Sequence, residues 1–313
     1  MRSAKYSGAG SAAEVISIIE VDTPEPGAGQ VVVRVAAVGM NPVDVKIRQA
    51  AHDFGVIRYS DLPGWDLSGT ISAVGEGVQG WAVGDRVFSL VGFPDAAHTL
   101  AEYAVVAATG LARVPGSWSA AQAGATPLAA LTAWQALDAA GVAEGDRVLV
   151  LGGAGGVGHL AVQLAAARGA HVIATASPAK ADLVASLGAA EVVDYRDGAA
   201  LDRIDAVDAV IVTVDGTLPP RGSVREGTAV ITITGFTPGQ EAQLAEWGAG
   251  TVRRILVVAD GRQLQQVADL ADAGRVTVHL DSEYALDDLV AAQERVETGR
   301  ATGKVVVIVD PEA

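Results

Sequence analysis

The sequence predicts an α/β protein in which a strand-rich region precedes a doubly wound parallel sheet. Three observations predict it. Residues 147–158, RVLVLGGAGGVG, are an apolar run ending in the spaced glycines Gly153, Gly155 and Gly158. From there to about residue 258, short apolar runs alternate with helical periodicity, the pattern of repeated βαβ units. Before residue 119 the pattern is different: short strand-like runs separated by Pro-Gly and Gly-Asp turns.

In chain order, residues 15–40 read as a strand, a turn at Pro26-Gly27, and a longer strand ending near Gly39. Asn41 then sits in a short Asn-Pro loop. The stretch GWDLSGTISAVGEGVQGWAVGDRVFSL is a hairpin series, and AEYAVVAATGLARVP gives two short strands closed by Pro115. Residues 120–141 read as buried helix; Gln122, Pro127, Gln135 and Asp138 interrupt them too often for a membrane span. Then come the strand-like runs RVLVL, HVIAT, EVVDY, DAVIVT and TAVITI, with TVRRILVV as a sixth. Helices around 263–273 and 286–298 and a last strand over 304–309 complete the chain.

Composition bounds the function. With 313 residues, half of them hydrophobic, the chain is long enough for two domains. A net charge of −15 argues against nucleic acid or an anionic membrane surface as partner. There is no cysteine, which excludes disulfides and thiolate metal sites. MRSAKYSG leads into a strand pattern rather than a signal peptide, so a cytoplasmic enzyme is expected.

The glycine run carries the first functional expectation. A strand, a glycine turn, a helix and a second strand are the order a dinucleotide pyrophosphate site needs. Gly153 is assigned the tight turn, Gly155 the close approach of backbone to phosphate, and Gly158 the packing of helix on strand. Ala154, Gly156 and Val157 complete the cradle at a helix amino terminus, whose N–H groups and dipole favour an anion. An NAD site places an acid about 20 residues on, at the end of the second strand. This chain reads Ala174-Thr175-Ala176-Ser177 there, with no carboxylate before Asp182. Ser177 and Lys180, joined by Tyr195 and Arg196, suit a 2′-phosphate, so NADP(H) is the expected cofactor. The competing reading makes Lys180 and Arg196 solvated helix ends and Tyr195 rim packing.

Five segments carry a family resemblance along nearly the whole chain: GMNPVDVKIRQ, PGWDLSGTISAVGEGVQGWAVGDRVF, PLAALTAWQAL, GGAGGVGHLAVQLA and GKVVVIV. Together they resemble the zinc-independent quinone oxidoreductase branch of the medium-chain dehydrogenase/reductases. The resemblance implies a GroES-like catalytic domain from residues 1–121 and 259–313, with a Rossmann NADP(H)-binding domain over 122–258. It also implies a homodimer joined through the last Rossmann strand, near residues 252–258, and NADPH-dependent reduction of quinones or α,β-unsaturated carbonyls. Where zinc alcohol dehydrogenases carry Gly-His-Glu this chain has Gly64-Trp65-Asp66, and Met40-Asn41 stands in the first Cys region, so no metal is expected.

The resemblance nominates residues, each with a plainer alternative. Asn41 is expected to face the nicotinamide ribose or substrate, or else to be an Asn-Pro turn former. Asp44 orients Asn41 or Lys46, or caps a helix. Thr132 is expected beside the nicotinamide, or bonded back to its own helix. Within the variable segment 49–61, Tyr59 is the first candidate donor to the acceptor oxygen and His52 the second, against a solvated loop; water can also supply the proton. Phe236 packs on the cofactor or in the core. Residues 212–216 depart from the pattern of similar chains. His98, His159, His171 and His279 lack metal spacing and read as packing or surface. The alternatives to the reductase are an enoyl reductase of a biosynthetic pathway and a low-turnover NADPH-binding redox sensor.

Overall fold

The computed structural model describes residues 1–52 and 55–313, which form two compact units. One comprises Met1–Leu131 and Val258–Ala313, the other Thr132–Val257.

The first unit is built mainly on antiparallel strands, with one parallel pair at the edge of its main sheet. β1 (Arg2–Tyr6) pairs with β2 (Ile16–Glu20) across a one-turn helix, α1 (Ala12–Val15). Its main sheet contains β3 (Gln30–Met40), β4 (Asp66–Val74), β5 (Arg86–Leu90), β6 (Tyr103–Ala107) and β7 (Ala112–Arg113). Two distant strands, β14 (Leu280–Ala285) and β15 (Lys304–Ile308), complete it, and the order is β14-β15-β3-β4-β5-β7, with β6 also on β3. β3 is buried almost throughout because it is central, and its run VVVRVAAVGM is apolar on both faces for that reason.

Helices α2 (Pro42–Ala50) and α3 (Ala120–Ala125) belong to this unit, as do α9 (Gly261–Asp272) and α10 (Leu289–Glu297). The expectation of a loop after Asn41 is corrected: Asn41 is the N-cap of α2, with Pro42 in the first turn. The single buried helix expected over 120–141 is two, α3 and α4 (Pro127–Ala140), because Pro127 cannot continue a helix but can begin one. The two compact units divide inside α4, between Leu131 and Thr132. α3 packs on β3 and β4, and the Ser68 hydroxyl donates to the Ala120 carbonyl, which ties α3 to the first unit.

The second unit is a six-stranded parallel sheet. Its strands are β8 (Arg147–Leu151), β9 (His171–Ala176), β10 (Glu191–Asp194), β11 (Ala209–Val212), β12 (Ala229–Thr232) and β13 (Thr251–Arg254). The order β10-β9-β8-β11-β12-β13 is that of a Rossmann fold, with the switch point between β8 and β11. Between the strands run α5 (Gly158–Ala167), α6 (Ala181–Ser186), α7 (Gly198–Leu201) and α8 (Pro238–Glu246). The sixth strand is shorter than TVRRILVV predicts, ending at Arg254. Among the described residues no helix is long and apolar enough to cross a membrane.

Close backbone approach governs the β8–α5 turn. A Cβ on Gly158 would stand 2.0 Å from the Gly152 carbonyl oxygen, so only glycine lets α5 start there. Gly158→Ala should cost about 2–3 kcal/mol through backbone overpacking, read as a lower urea midpoint at unchanged slope.

Candidate functional site

The glycine turn begins at the end of β8. Gly152 has φ +86°, in the left-handed region, so the tight turn falls on Gly152 and not on Gly153 as the spacing suggested. Gly153 instead serves close packing: a Cβ there would meet that of Ala174 on β9 at 2.8 Å. Two hydrogen bonds clamp the turn to β9. The Gly152 amide donates to the Thr175 hydroxyl at 3.0 Å, and the Gly153 amide to the Thr175 carbonyl at 2.9 Å. At Gly155 an added Cβ would meet only the Gly152 carbonyl, at 3.4 Å, which leaves the outer face of the turn open. The His159 ring lies 3.0 Å from the Gly155 carbonyl and is fully buried, holding the turn to α5. A backbone cradle open on one side, at a helix amino terminus, fits a pyrophosphate.

The candidate 2′-phosphate residues lie at one end of adjacent strands. β9 and β10 pair in register through Ala176 and Asp194, so Ser177 and Tyr195 follow side by side. Ser177 and Lys180 are half-buried around a single 3₁₀ turn, Pro178–Lys180. Tyr195 is 55% exposed, with the Arg196 guanidinium 5.1 Å from its ring centre. Arg196 lies 3.6 Å from Asp194. Phe236 packs against the apolar core of this unit. Thr132 is buried on α4.

The first unit holds a buried polar cluster. β3 and β15 pair through Met40 and Val305, and β3 and β4 through Ala37 and Ser68. Continuing the first register by one residue sets Lys304 opposite Asn41, and continuing the second by two sets Asp66 opposite Gly39, so Asn41, Asp66 and Lys304 come together. Lys304 Nζ donates to the Met40 carbonyl at 2.9 Å and to Asn41 Oδ1, and lies 3.7 Å from Asp66 Oδ2. Asn41 Nδ2 donates to Asp66 Oδ2 at 2.9 Å. The Leu128 amide, in the first turn of α4, donates to Asp66 Oδ1 at 2.6 Å. Asp44 Oδ2 accepts from the Asn41 amide at 2.7 Å, so Asp44 closes the start of α2. Its other oxygen has no hydrogen-bond partner among the described residues. All four residues are at most 3% exposed.

Burial sets the charges. It pushes the Asp44 carboxyl up to about 7 and the Asp66 carboxyl up to about 6, while the Lys304 ammonium is pushed down. Asp66 keeps its charge better because Lys304, Asn41 and Leu128 all donate to it or attract it. Sequence reasoning passed over Lys304. The available signal was a lysine opening an otherwise apolar strand, which requires a buried partner.

Tyr59 is half-buried, and burial followed by the Asp61 charge raises its phenol pKa. His52 is exposed, next to residues 53 and 54, which lie outside the described residues of the 49–61 segment. The sequence did not anticipate that His98 Nε2 lies 2.9 Å from the Ser60 hydroxyl.

Residues 27–116 match the alcohol dehydrogenase GroES-like domain, and residues 187–307 match a domain described as zinc-binding dehydrogenase. A 2-methylene-furan-3-one reductase of Solanum lycopersicum is 33% identical over 98% of this chain and 79% of its own. An NADPH-dependent alkenal/one oxidoreductase of Arabidopsis thaliana is also 33% identical, covering 91% of this chain and 73% of its own. The solved quinone oxidoreductase of Coxiella burnetii superposes with a TM-score of 0.87 at 30% identity, covering 99% of both chains. The chain belongs to the quinone oxidoreductase branch of the medium-chain dehydrogenase/reductases. It is an oxidoreductase of the NAD(P)H-dependent kind.

The domain description raises the question of zinc, and the donor set does not fit it. By the resemblance, Gly64-Trp65-Asp66 and Met40-Asn41 stand where a zinc enzyme would carry Gly-His-Glu and its first Cys. Trp65 offers only an N–H, already donated to the Asp95 carbonyl at 2.7 Å. Both oxygens of Asp66 are engaged by donors within the protein. No catalytic step of this oxidoreductase is assigned to a metal.

The raised Asp44 pKa has a consequence for stability. A carboxyl with a higher pKa in the folded state than its unfolded value of 3.8 binds its proton more tightly when native. Its contribution is therefore full below about pH 4 and is lost as the pH rises through about 7. Asp44→Asn keeps an acceptor for the Asn41 amide without the buried charge. Chemical denaturation should show the variant about 1–2 kcal/mol more stable than wild type at pH 8, with the difference vanishing near pH 4.

Proposed function

We propose that this chain is a metal-free, NADPH-dependent reductase that transfers hydride to a quinone or to the β-carbon of an α,β-unsaturated carbonyl. The observation that carries the cofactor choice is the end of β9. Thr175-Ala176-Ser177 presents no carboxylate to a ribose, and Lys180, Tyr195 and Arg196 gather at that end of β9 and β10. An acid there would repel a 2′-phosphate, whereas a lysine and an arginine attract one. The alkenal/one oxidoreductase, named for NADPH, supports the same choice.

In this reading the turn from Gly153 to Gly158 holds the pyrophosphate, and Ser177, Lys180 and Tyr195 hold the 2′-phosphate. Bound NADPH supplies the hydride. Asn41 and Thr132 are the protein groups assigned to the nicotinamide side. Hydride addition leaves negative charge on the acceptor oxygen, which a positioned donor stabilises and which one proton then neutralises. Tyr59 is the first candidate for that contact, because a phenol is protonated at neutral pH and can donate to the developing charge. His52 is the second, and water suffices as proton source.

Two further features belong to this reading. β13 is an edge strand with an exposed pattern, and Leu256 and Val258 beyond it are 37% and 63% exposed. Exposed edges of this kind invite pairing, which supports a homodimer joined there. A cytoplasmic location accords with the acidic, cysteine-free composition.

The test is steady-state NADPH oxidation against a panel of quinones and enones. Turnover is expected with at least one acceptor, and none with any of them ends the reading. Lys180→Ala should raise the KM for NADPH about tenfold or more and leave that for NADH unchanged. Equal effects on both cofactors would remove Lys180 from the 2′-phosphate site.

A further inference from the structure

Asp66 joins two places to which the proposed reaction assigns work. One carboxylate oxygen takes the Asn41 amide nitrogen, and the other takes the Leu128 backbone amide at 2.6 Å. Leu128 is in the first turn of α4, and Thr132 lies one turn further along the same helix. Lys304 holds the other end of the Asn41 side chain by donating to Oδ1, and fixes the backbone before it by donating to the Met40 carbonyl. The Asn41 amide group is thus gripped at both its oxygen and its nitrogen, and is 2% exposed. Neither its rotamer nor its flip state is free.

A charged cluster is an expensive way to hold an asparagine. Isolated burial of an ammonium or carboxylate costs several kcal/mol, and a packed apolar set is often as stable as a buried ion pair. Asp44 adds a second carboxylate within the same cluster, with one oxygen unpartnered among the described residues. The arrangement is therefore poorly explained by stability alone. It is well explained by geometry: an ammonium and a carboxylate, each with several fixed partners, define positions that a methyl group does not.

We propose that Lys304 and Asp66 are positioning residues for hydride transfer, which set Asn41 and the start of α4 in the geometry the reaction needs. The inference rests on the reductase reading given above. Neither residue touches the reacting atoms; both act through Asn41 and through the first turn of α4. Misplacing such groups by about 1 Å is enough to cost roughly a hundredfold in rate.

The test uses Lys304→Met and Asp66→Asn in the full-length protein, with Asp66→Asn as the near-isosteric variant should Lys304→Met fail to fold. In the cofactor-free protein, amide hydrogen exchange at Leu128 is expected to accelerate at least tenfold in Asp66→Asn. With an acceptor that wild type reduces, kcat is expected to fall 10- to 100-fold in either variant, with the NADPH dissociation constant changed less than threefold. The primary isotope effect with NADPH deuterated at the transferred position should rise above that of wild type, because misalignment slows the hydride step itself. Folded variants that keep wild-type kcat and isotope effect overturn the positioning role while leaving the reductase reading intact. Wild type inert toward every acceptor overturns both.

Discussion

The structure of the first unit depends on hiding one ammonium group. Lys304 is 3% exposed at the start of β15, a strand paired on both sides, so its ammonium is withdrawn from water. Its charge must be met by groups already fixed in place, and the strand registers deliver them: Met40 and Asn41 from the end of β3, Asp66 from the start of β4. Moving any of the three strands by one residue would turn one partner to the opposite face and leave the others with an unmatched charge. The cluster therefore acts as a register lock on β3, β4 and β15, two of which come from opposite ends of the chain. The same lock fixes the start of α2 through Asp44 and the start of α4 through Asp66.

The second unit meets its constraint differently. Its core is largely apolar, with His159 and Thr175 among the few buried polar residues, and specificity of the β8–α5 turn comes from backbone contact: Gly158 against the Gly152 carbonyl, and both turn amides on Thr175. Thr175 is thus tied to the turn, while Ser177, two residues on, sits at the end of β9 beside Tyr195. One short strand supplies both the clamp of the glycine cradle and the residue that begins the proposed 2′-phosphate site. In the first unit the Asp66 carboxylate is likewise committed, to lysine, asparagine and a helix amide.

Much of this was legible in the residues. The parallel strands were marked by runs of five to eight residues, most clearly at RVLVL and DAVIVT, because a strand buried on both faces has few polar positions to hide it. The glycine turn was legible as a place but misassigned in detail: spacing alone does not say which glycine takes positive φ, and Gly152 takes it because β8 ends one residue before. α2 was missed because Asn41-Pro42 is equally a turn signal and a helix start. The difference is made by Asp44, which closes on the Asn41 amide only once the helix exists. Lys304 was missed because a lysine beside a glycine at a strand start normally reads as solvated.

The sequence by itself determined the fold class, the glycine cradle, the absence of thiol ligands and the lack of an acid at the end of β9, since each is a matter of residue type at short spacing. The tertiary structure alone decided which side chains share a cluster. Asn41 and Lys304 are 263 residues apart in the chain yet bonded, and only the pairing of β15 with β3 brings them within reach. Local pattern reports what a residue prefers. Which distant partner satisfies a buried charge is settled by strand register, and register is a property of the assembled sheet.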